Sequence, residues 1–477
     1  MFIGKADELS RRAFMRRSGQ LAALGAGSSY ALGLAGMSEA AAFSSAGGYK
    51  ALVCIFLYGG NDYGNTLIPF DPTNYNRYAS IRGGNGDEGG GIALSRASLA
   101  GSVLNQPDTQ TLTDDIQYAL APSMPRLKSR FDGGQMAPLL NVGPLVVPLT
   151  KAQYESGNNS SFPRPAKLFS HNDQQSTWQS SQPEGSTSGW GGRMGDLALS
   201  SNTNSMFTAI NASGNAVFMN GETAVPYQVS TGGATLIRGV NNTRLYGSVA
   251  TSEALESLLT TSHGHFLEAD YSMVNARSIE YGGFVNDALE NSTLSTDFGS
   301  GNRLASQLSV VARLIAARNR LGVNRQVFMV SMGGFDNHDG LIGTHEGLLS
   351  QLDAAMDAFY SATEEMGIAD QVTSFTASDF GRTLASNGDG SDHGWGGHHF
   401  VMGGGVNGGQ FYGTAPQVSL DSDDQVGRGR LLPTVSVDEY SATLAKWFGV
   451  SASEMPSISP NIGRFASPDL GFMAPPG

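Results

Sequence analysis

Histidine and aspartate side chains are concentrated in one stretch of this sequence, residues 327–405. Five of the eight histidines lie there: His338, His345, His393, His398 and His399. Asp336 and Asp379 each follow an apolar run of the kind that forms a buried strand. Imidazole and carboxylate groups are the ligands that zinc and related divalent ions take in proteins. The stretch therefore predicts a metal site.

The loop that carries Asp336 and His338 begins with two glycines, Gly333 and Gly334. Glycine permits the sharp backbone turn that a chain needs at the end of a strand. Such a turn would project a carboxylate and an imidazole from one loop, a pair that suits zinc, manganese or calcium. The alternative interpretation is an Asx turn beside an exposed histidine.

A second loop carries Asp379 and Arg382 at the end of another apolar run. Asp379 is a further candidate metal ligand. Arg382 is a candidate for binding an anionic substrate group through two parallel hydrogen bonds. The alternative is a structural aspartate–arginine pair that closes the loop.

The densest cluster of imidazoles is residues 392–399, where His393, His398 and His399 occur among glycines and a tryptophan. Three histidines in seven residues are not typical of a packed core, and glycines allow the backbone to approach a ligand closely. At most two of these histidines need be ligands, and His399 alternatively begins the next strand.

Asp62 and His171 complete the candidate set. Asp62 follows the apolar run Lys50–Leu57 and a glycine turn. The alternative to a metal-ligand role for this residue is a turn-forming aspartate. His171 lies in a polar segment beside Ser170 and Ser176, which are candidate nucleophiles.

The chain has no G-x-S-x-G nucleophile elbow, no P-loop and no dinucleotide-binding fingerprint. An ordinary serine hydrolase and a nucleotide-binding enzyme are therefore disfavoured.

Apolar strands alternate with amphipathic helices through much of the chain. Strands are predicted at Lys50–Leu57, Met136–Val147, Gln326–Ser331, Val372–Ala377 and Phe400–Met402, and helices at Leu304–Leu321, His345–Glu365 and Ser436–Phe448. This alternation predicts an α/β fold with a doubly wound, mostly parallel sheet. The candidate residues follow the strands, where such sheets place their chemistry. Cys54, inside the first strand, is predicted to be an inert core thiol.

The first 42 residues are typical of a twin-arginine export signal. Residues 10–16 contain the paired arginines, an uncharged and moderately apolar stretch follows, and small residues at 38–42 suit a signal peptidase. The apolar stretch is too weak to span a membrane. We therefore expect a periplasmic or extracellular protein with the twin-arginine translocase as its export partner and no integral membrane segment after processing.

The remaining residues, 43–477, are predicted to form one large domain. Within it, residues 200–250 are predicted to be β-rich and residues 252–322 helical, which suggests a mixed insertion or cap at about 200–322. Apolar residues make up 40% of the chain, enough for a buried core. The net charge of −13 argues against a nucleic-acid partner, because phosphate binding needs basic patches.

Several segments together resemble the exported bacterial family known as domain of unknown function 1501. They are the leader, LVCIFLYGGNDYGNTLIP from residue 52, SHNDQQSTWQ from 170, GWGGR from 189, VFMVSMGGFDNHDG from 327, TSFTASDFGRT from 373, DHGWGGHHFVMGGGVNGG from 392 and SPDLGF from 467. That family is grouped with the alkaline-phosphatase-like hydrolases, which include phosphatases and sulfatases. The resemblance implies their doubly wound fold.

The resemblance also implies a site for two divalent ions. One ion would take Asp336, His338 and either His393 or His399, and the other would take Asp62 and Asp379. The sequence departs from the superfamily pattern in two ways: Phe380 stands where the second ion usually has a histidine, and Asp336 and His338 are two residues apart rather than four. The nucleophile would be sought between Ser170 and Thr177.

The function implied by the resemblance is an exported hydrolase of phosphate or sulfate esters that uses one or two zinc, manganese or calcium ions. Ser170, His171 and Arg382 are its candidate catalytic residues, and a small anionic ester or a glycan is its expected substrate. The alternative is a non-catalytic periplasmic binding or scaffold protein that keeps the fold. Phe380 and the lack of a clear nucleophile favour that alternative.

Overall fold

The computed structural model describes residues 43–44, 48–234, 237, 239–240, 244–262 and 264–475. The export leader predicted for residues 1–42 lies outside this set. Along the described chain, no helix has both the length and the apolar character that crossing a membrane requires.

Among the described residues, one eight-stranded sheet forms the centre of the fold. The strands of the protein are β1 (Lys50–Leu57), β2 (Leu67–Pro69), β3 (Tyr118–Leu120), β4 (Met136–Gly143), β5 (Ala209–Asn211), β6 (Tyr227–Gln228), β7 (Arg325–Met332), β8 (Val372–Ser378), β9 (Arg382–Ser386), β10 (Ser391–His393), β11 (Gly397–Gly403) and β12 (Val435–Ser436). The central order is β12-β4-β11-β8-β1-β7-β5-β6, and β11 alone among these described strands runs antiparallel to its neighbours. The predicted mostly parallel sheet is confirmed.

Helices cover both faces of this sheet. They are α1 (Pro72–Ile81), α2 (Arg96–Leu99), α3 (Pro125–Asp132), α4 (Lys151–Glu155), α5 (His171–Ser180), α6 (Trp190–Ala198), α7 (Val249–Thr260), α8 (Phe266–Glu290), α9 (Arg303–Ala316), α10 (Arg318–Leu321), α11 (Leu341–Glu365), α12 (Val437–Phe448) and α13 (Met455–Ile458). Successive side chains of a strand point to opposite faces. On β1, Val53 accordingly joins the core under α9 and α11, and the buried Cys54 joins the core under α5, α6 and α12.

Capping residues explain where several helices begin. The Asn302 side chain accepts a hydrogen bond from the Ala305 amide at the start of α9, and Ser436 and Glu439 form a capping box at the start of α12. Helix α11 begins without a side-chain cap, directly after Gly340 in a left-handed conformation. With no capping signal to mark it, the predicted start at His345 was four residues too late.

The middle of the chain contains less strand than its alternating pattern predicts. Within residues 200–250 the described strands are β5, with three residues, and β6, with two. Both extend the central sheet beyond β7. Turn-forming asparagine, glycine and serine residues occupy much of this stretch and limit strand length. The insertion or cap predicted at about 200–322 stays a prediction.

The loops that leave the central strands meet at one edge of the sheet. The parallel register aligns Leu57 of β1 with Met332 of β7 and Ser378 of β8, so three carboxyl ends coincide. The antiparallel strand β11 begins at the same edge. The loops approach so closely that only glycine fits at some contacts: a Cβ on Gly59 would lie within 3.0 Å of the Asp336 backbone nitrogen, and Gly59 has a φ of 115°.

We expect the substitution Gly59→Ala to lower the free energy of unfolding by about 3 kcal/mol, because the added methyl group would force the loops apart and strain the backbone. Urea denaturation measures this loss. Gly134→Ala is the matched control, since Gly134 also has a positive φ, of 77°, but has no atom within 4 Å of its Cβ position. Its expected loss is about 1–2 kcal/mol from backbone strain alone. Equal losses in the two variants would contradict the close contact of these loops.

Candidate metal centre

One loop, one strand end and one helix bring a cluster of imidazole and carboxylate groups to the shared edge of the sheet. Asp336 and His338 follow β7, and His393 ends β10, which pairs with β9 so that His393 lies opposite Arg382. His171 is the first residue of α5. The preceding Phe169 has a φ of 72°, a left-handed conformation that few residues other than glycine adopt.

The Nε2 atoms of three histidines and the carboxylate of Asp336 converge. His393 Nε2 lies 3.1 Å from His171 Nε2 and 2.9 Å from His338 Nε2. The Asp336 oxygens lie 3.4 Å from His171 Nε2, 3.4 Å from His393 Nε2 and 3.1 Å from His338 Nε2. Asp336 and His338 are 45% and 41% exposed, so a solute can reach the cluster from solvent.

The outer nitrogen of each ring faces an oxygen atom. His393 Nδ1 lies 2.8 Å from the Phe169 carbonyl, which can only accept a hydrogen bond, so this nitrogen carries the proton. His171 Nδ1 donates to Asp379 at 2.6 Å, and His338 Nδ1 lies 3.5 Å from Asp392. When neutral, His171 and His393 therefore present their Nε2 lone pairs to each other, and a shared proton or a cation would relieve that repulsion. His338 Nε2 can itself donate a hydrogen bond to His393 Nε2.

Asp379 holds His171 in this orientation. Its Oδ2 atom accepts hydrogen bonds from His171 Nδ1, from Gln175 Nε2 at 2.9 Å and from the Gly59 amide at 3.1 Å. The other oxygen, Oδ1, is buried without a hydrogen-bond partner. A carboxylate behind a ligating histidine is the usual outer partner in metal sites, where it fixes the ring and increases its basicity. Asp379 thus occupies a supporting position behind the cluster.

Arg382 orients the Asp336 carboxylate. Its guanidinium is fully buried and donates to Asp336 Oδ1 at 2.7 Å and to the Gly59 carbonyl at 3.0 Å. The remaining nitrogens donate to Ser391. Because every nitrogen of Arg382 has a partner inside the protein, the geometry does not give it the anion-binding role that the sequence suggested. It is instead part of the support of the cluster.

The charges of the cluster shift several pKa values. The hydrogen bond to Asp379 raises the pKa of His171, whereas burial lowers the pKa of His393. Burial would raise the pKa of Asp336, but the hydrogen bond and charge of Arg382 outweigh it and lower that pKa. Asp336 is therefore an anion, and His393 a neutral ring, near neutral pH.

The donor atoms fit a divalent transition metal. His171, Asp336 and His393 each offer one ligand atom, and these atoms lie within 4.8 Å of one another. Ligands of a tetrahedral zinc ion, bound at about 2.0–2.1 Å, are about 3.3 Å apart. His171 Nε2 and His393 Nε2 lie 3.1 Å apart, and each lies 3.4 Å from a different oxygen of Asp336, distances close to that spacing. Three imidazoles with one carboxylate favour zinc over calcium, which takes oxygen ligands.

Two residues predicted as metal ligands lie outside the cluster. Asp62 is fully buried, forms an ion pair with Arg82 and caps a turn by accepting from the Gly64 amide. His399 is buried against Trp178, with ring centroids 4.7 Å apart, and burial lowers its pKa to about 3. Both side chains therefore stabilise the buried interior of the fold and do not face the cluster.

His345 and His398 are also buried away from the cluster. His345 Nε2 bonds Asn61 Oδ1 at 3.0 Å, and His398 Nδ1 accepts from the Asn141 amide at 3.1 Å. Burial lowers the pKa of His345 to about 4 and that of His398 to about 3. These neutral rings connect the loops to the core rather than to the candidate site.

The candidate hydroxyl nucleophiles have partners of their own. Ser170 Oγ donates to Asp173 at 2.9 Å, and Thr177 Oγ1 donates to the Asp173 backbone carbonyl at 2.8 Å. Ser176 Oγ bonds the carbonyls of Gln182 and Pro183. Although Ser170 is next to His171 in sequence, its hydrogen bond turns it toward Asp173.

Phe380 packs between two of the clustered histidines. Its ring centroid lies 4.8 Å from that of His171 and 4.8 Å from that of His393.

Sequence reasoning assigned no role to Gln175 or Asp392. Gln175 lies four residues after His171, and this helical spacing could have indicated a shared face. No local signal linked Asp392 to His338.

Several solved structures resemble the chain at low identity. The lipoteichoic acid synthase LtaP from Listeria monocytogenes is 9% identical with a TM-score of 0.33, over 88% of this chain and 76% of that chain. The PsFucS1 sulfatase from Pseudoalteromonas sp. is 8% identical with a TM-score of 0.35, over 90% of this chain and 70% of that chain. Similarity of this degree assigns neither an activity nor a substrate.

The sequence itself matches one family model. No curated protein matches the chain. The model described as "Protein of unknown function (DUF1501)" matches residues 49–452, which include every strand of the central sheet and every residue of the cluster. The chain therefore belongs to the DUF1501 family.

Proposed function

We propose that the protein is an exported metal-dependent hydrolase of phosphate or sulfate esters. The single observation that carries this proposal is the convergence of three Nε2 atoms and one carboxylate at an open edge of the sheet. His171, Asp336 and His393 would hold one ion, and His338, which lies beside both Asp336 and His393, would complete its ligand set. Zinc suits these donors best, with manganese as the alternative.

A bound ion would polarise an ester oxygen and stabilise the charge that develops on it. The chain's own groups have distinct tasks around that ion. Asp379 keeps His171 turned with its Nε2 toward the cluster, and Arg382 keeps Asp336 ionised and in place. Phe380 restricts the movement of two ligand rings by packing against both. Preorganised ligands of this kind need little rearrangement during a reaction.

We further propose that the mature protein is periplasmic or extracellular. The twin arginines and the weakly apolar stretch in residues 1–42 support export by the twin-arginine translocase. That pathway carries proteins already folded, which suits a site assembled from distant parts of the chain. A small anionic ester or a sulfated or phosphorylated glycan is the proposed substrate.

The second candidate function is metal-dependent binding without catalysis. It is favoured by the hydroxyl groups of Ser170 and Thr177, which both bond to Asp173 instead of facing the cluster. A hydrolase of this kind would therefore depend on attack by water. A protein that binds the ion and an anionic ligand, but turns over no ester, would fulfil this second function.

We expect the purified protein, stripped with a chelator, to bind one zinc ion per chain, as measured by calorimetry and elemental analysis. His171→Ala and His393→Ala each remove a ligand and should weaken zinc binding more than 100-fold. Asp379→Asn, which alters only the support of His171, should weaken it by about 10–100-fold. The control is His265→Ala, since His265 is exposed at the start of α8. Equal zinc affinity in all four variants and the native protein would contradict the site.

We expect the zinc-loaded protein to hydrolyse 4-nitrophenyl phosphate or 4-nitrophenyl sulfate, because the ion would stabilise charge on the ester oxygen. Release of 4-nitrophenolate, followed by absorbance, measures the rate. The rate should fall to the uncatalysed background on chelation and in His393→Ala, and zinc should restore it only in the native chain. One tightly bound zinc without turnover of either ester would instead support the binding protein.

A further inference from the structure

The arginine that contacts Asp336 is buried, and each of its nitrogens has a partner inside the protein. Arg382 is fully buried, and its nitrogens donate to Asp336, Gly59 and Ser391. An anionic ester held beside the cluster would need other cationic partners, because Asp336 and Asp392 already place negative charge there. Arg428 and Arg430 are two arginines that contact residues of this region, Asp392 and His393.

Both arginines belong to one strained turn, residues 427–430. Gly427, Arg428 and Gly429 all have positive φ values, of 100°, 56° and 72°. An arginine in the left-handed region is uncommon, and such strain persists only where the surroundings enforce it. Here Gln425 Oε1 accepts from the amides of Gly427 and Gly429 at 2.6 and 3.2 Å.

Strand β9 holds the same turn from the other side. The amides of Leu384 and Ala385 donate to the carbonyls of Gly429 and Arg428, each at 3.2 Å. A Cβ on Gly429 would overlap Leu384, so this contact also requires glycine. The backbone of the turn is thus fixed to the strand that begins with Arg382.

Each guanidinium contacts a residue that positions a clustered histidine. Arg430 Nε donates to the His393 carbonyl at 2.8 Å, and its guanidinium lies 4.9 Å from the ring centroid of Phe169. The carbonyl of Phe169 is the acceptor for His393 Nδ1. Arg428 lies 3.2 Å from Asp392, whose other oxygen is 3.5 Å from His338 Nδ1. The two arginines therefore lie next to the residues that hold His393 and His338.

Positive charge at this turn exceeds its local negative charge. Asp392 is the carboxylate paired with Arg428, and Arg430 bonds to backbone carbonyls instead of a carboxylate. Burial, and then the charge of Arg428, lower the pKa of Arg430. By contrast, Lys167 on the neighbouring loop is close to both Asp173 and Glu184. An anion bound between the two arginines would neutralise positive charge that Asp392 alone does not balance.

We propose that Arg428 and Arg430 bind the tetrahedral oxyanion group of the substrate at the opening of the metal cluster. This inference rests on the proposed function, which it extends by naming the residues that recognise the anion. The planar guanidinium donates two parallel hydrogen bonds to phosphate or sulfate oxygens, a geometry that lysine cannot supply. Arg428 is 50% exposed and can therefore meet a ligand from solvent.

Titration calorimetry with inorganic phosphate and, separately, inorganic sulfate tests the proposal on the zinc-loaded full chain at low ionic strength. Arg428→Gln and Arg430→Gln should each weaken anion binding about tenfold, since each removes charged hydrogen bonds. Zinc affinity, measured in parallel, should fall by a smaller factor than anion affinity in both variants, because the arginines reach the ligand histidines only through Asp392 and a backbone carbonyl. Arg428→Lys should recover only part of the lost affinity. The anion with the larger loss identifies the ester class.

Arg320→Gln is the matched control, because Arg320 is an exposed arginine paired with Asp287 on a distant surface helix, and its anion affinity should equal the native value. Normal zinc binding with native anion affinity in Arg428→Gln and Arg430→Gln would overturn this inference and leave the metal site standing. Failure of the native chain to bind zinc would instead overturn the proposed function. Absence of binding to either anion at millimolar concentration would also overturn the inference.

Discussion

The convergence of three imidazole Nε2 atoms is the constraint around which this edge of the sheet is organised. His171, His338 and His393 each direct Nδ1 toward an oxygen atom, so their Nε2 atoms face one another at 2.9–3.1 Å across His393. The carboxylates and the carbonyl around the cluster face the Nδ1 atoms and prevent the rings from turning away.

Holding the rings in place requires loops that cannot separate. Contacts at Gly59 and Gly429 bring backbone against backbone or against a strand, and Arg382 ties the turn after β1 to Asp336 and to Ser391. A binding site carried on loops needs rigid support and must stay accessible from solvent. The same arginine that stabilises the loops is thereby buried beneath Asp336.

Residue types at strand ends predicted much of this arrangement. Strand β1 was predicted to the residue, Asp336 and His338 were identified in a loop that follows a buried strand, and His393 was identified in a segment dense in histidine and glycine. Asp62, after a strand, and His399, in that dense segment, met the same criteria and yet lie in the core, because their partners, Arg82 and Trp178, are distant in sequence. The orientation of Arg382 likewise depends on Ser391 and Gly59, which no local pattern connects to it.

The pairing of β1 has a consequence for how the chain acquires its structure. Tyr49 bonds Gln326 across 277 residues, and Leu57 accepts from Ser378 across 321 residues. Closing loops of this length is slow, and topologies dominated by distant contacts fold slowly. During synthesis, β1 can therefore pair with β7 and β8 only after most of the chain has been made. A chain interrupted after β8 would leave the position of β11 vacant, and that open strand edge would be free to pair with another molecule.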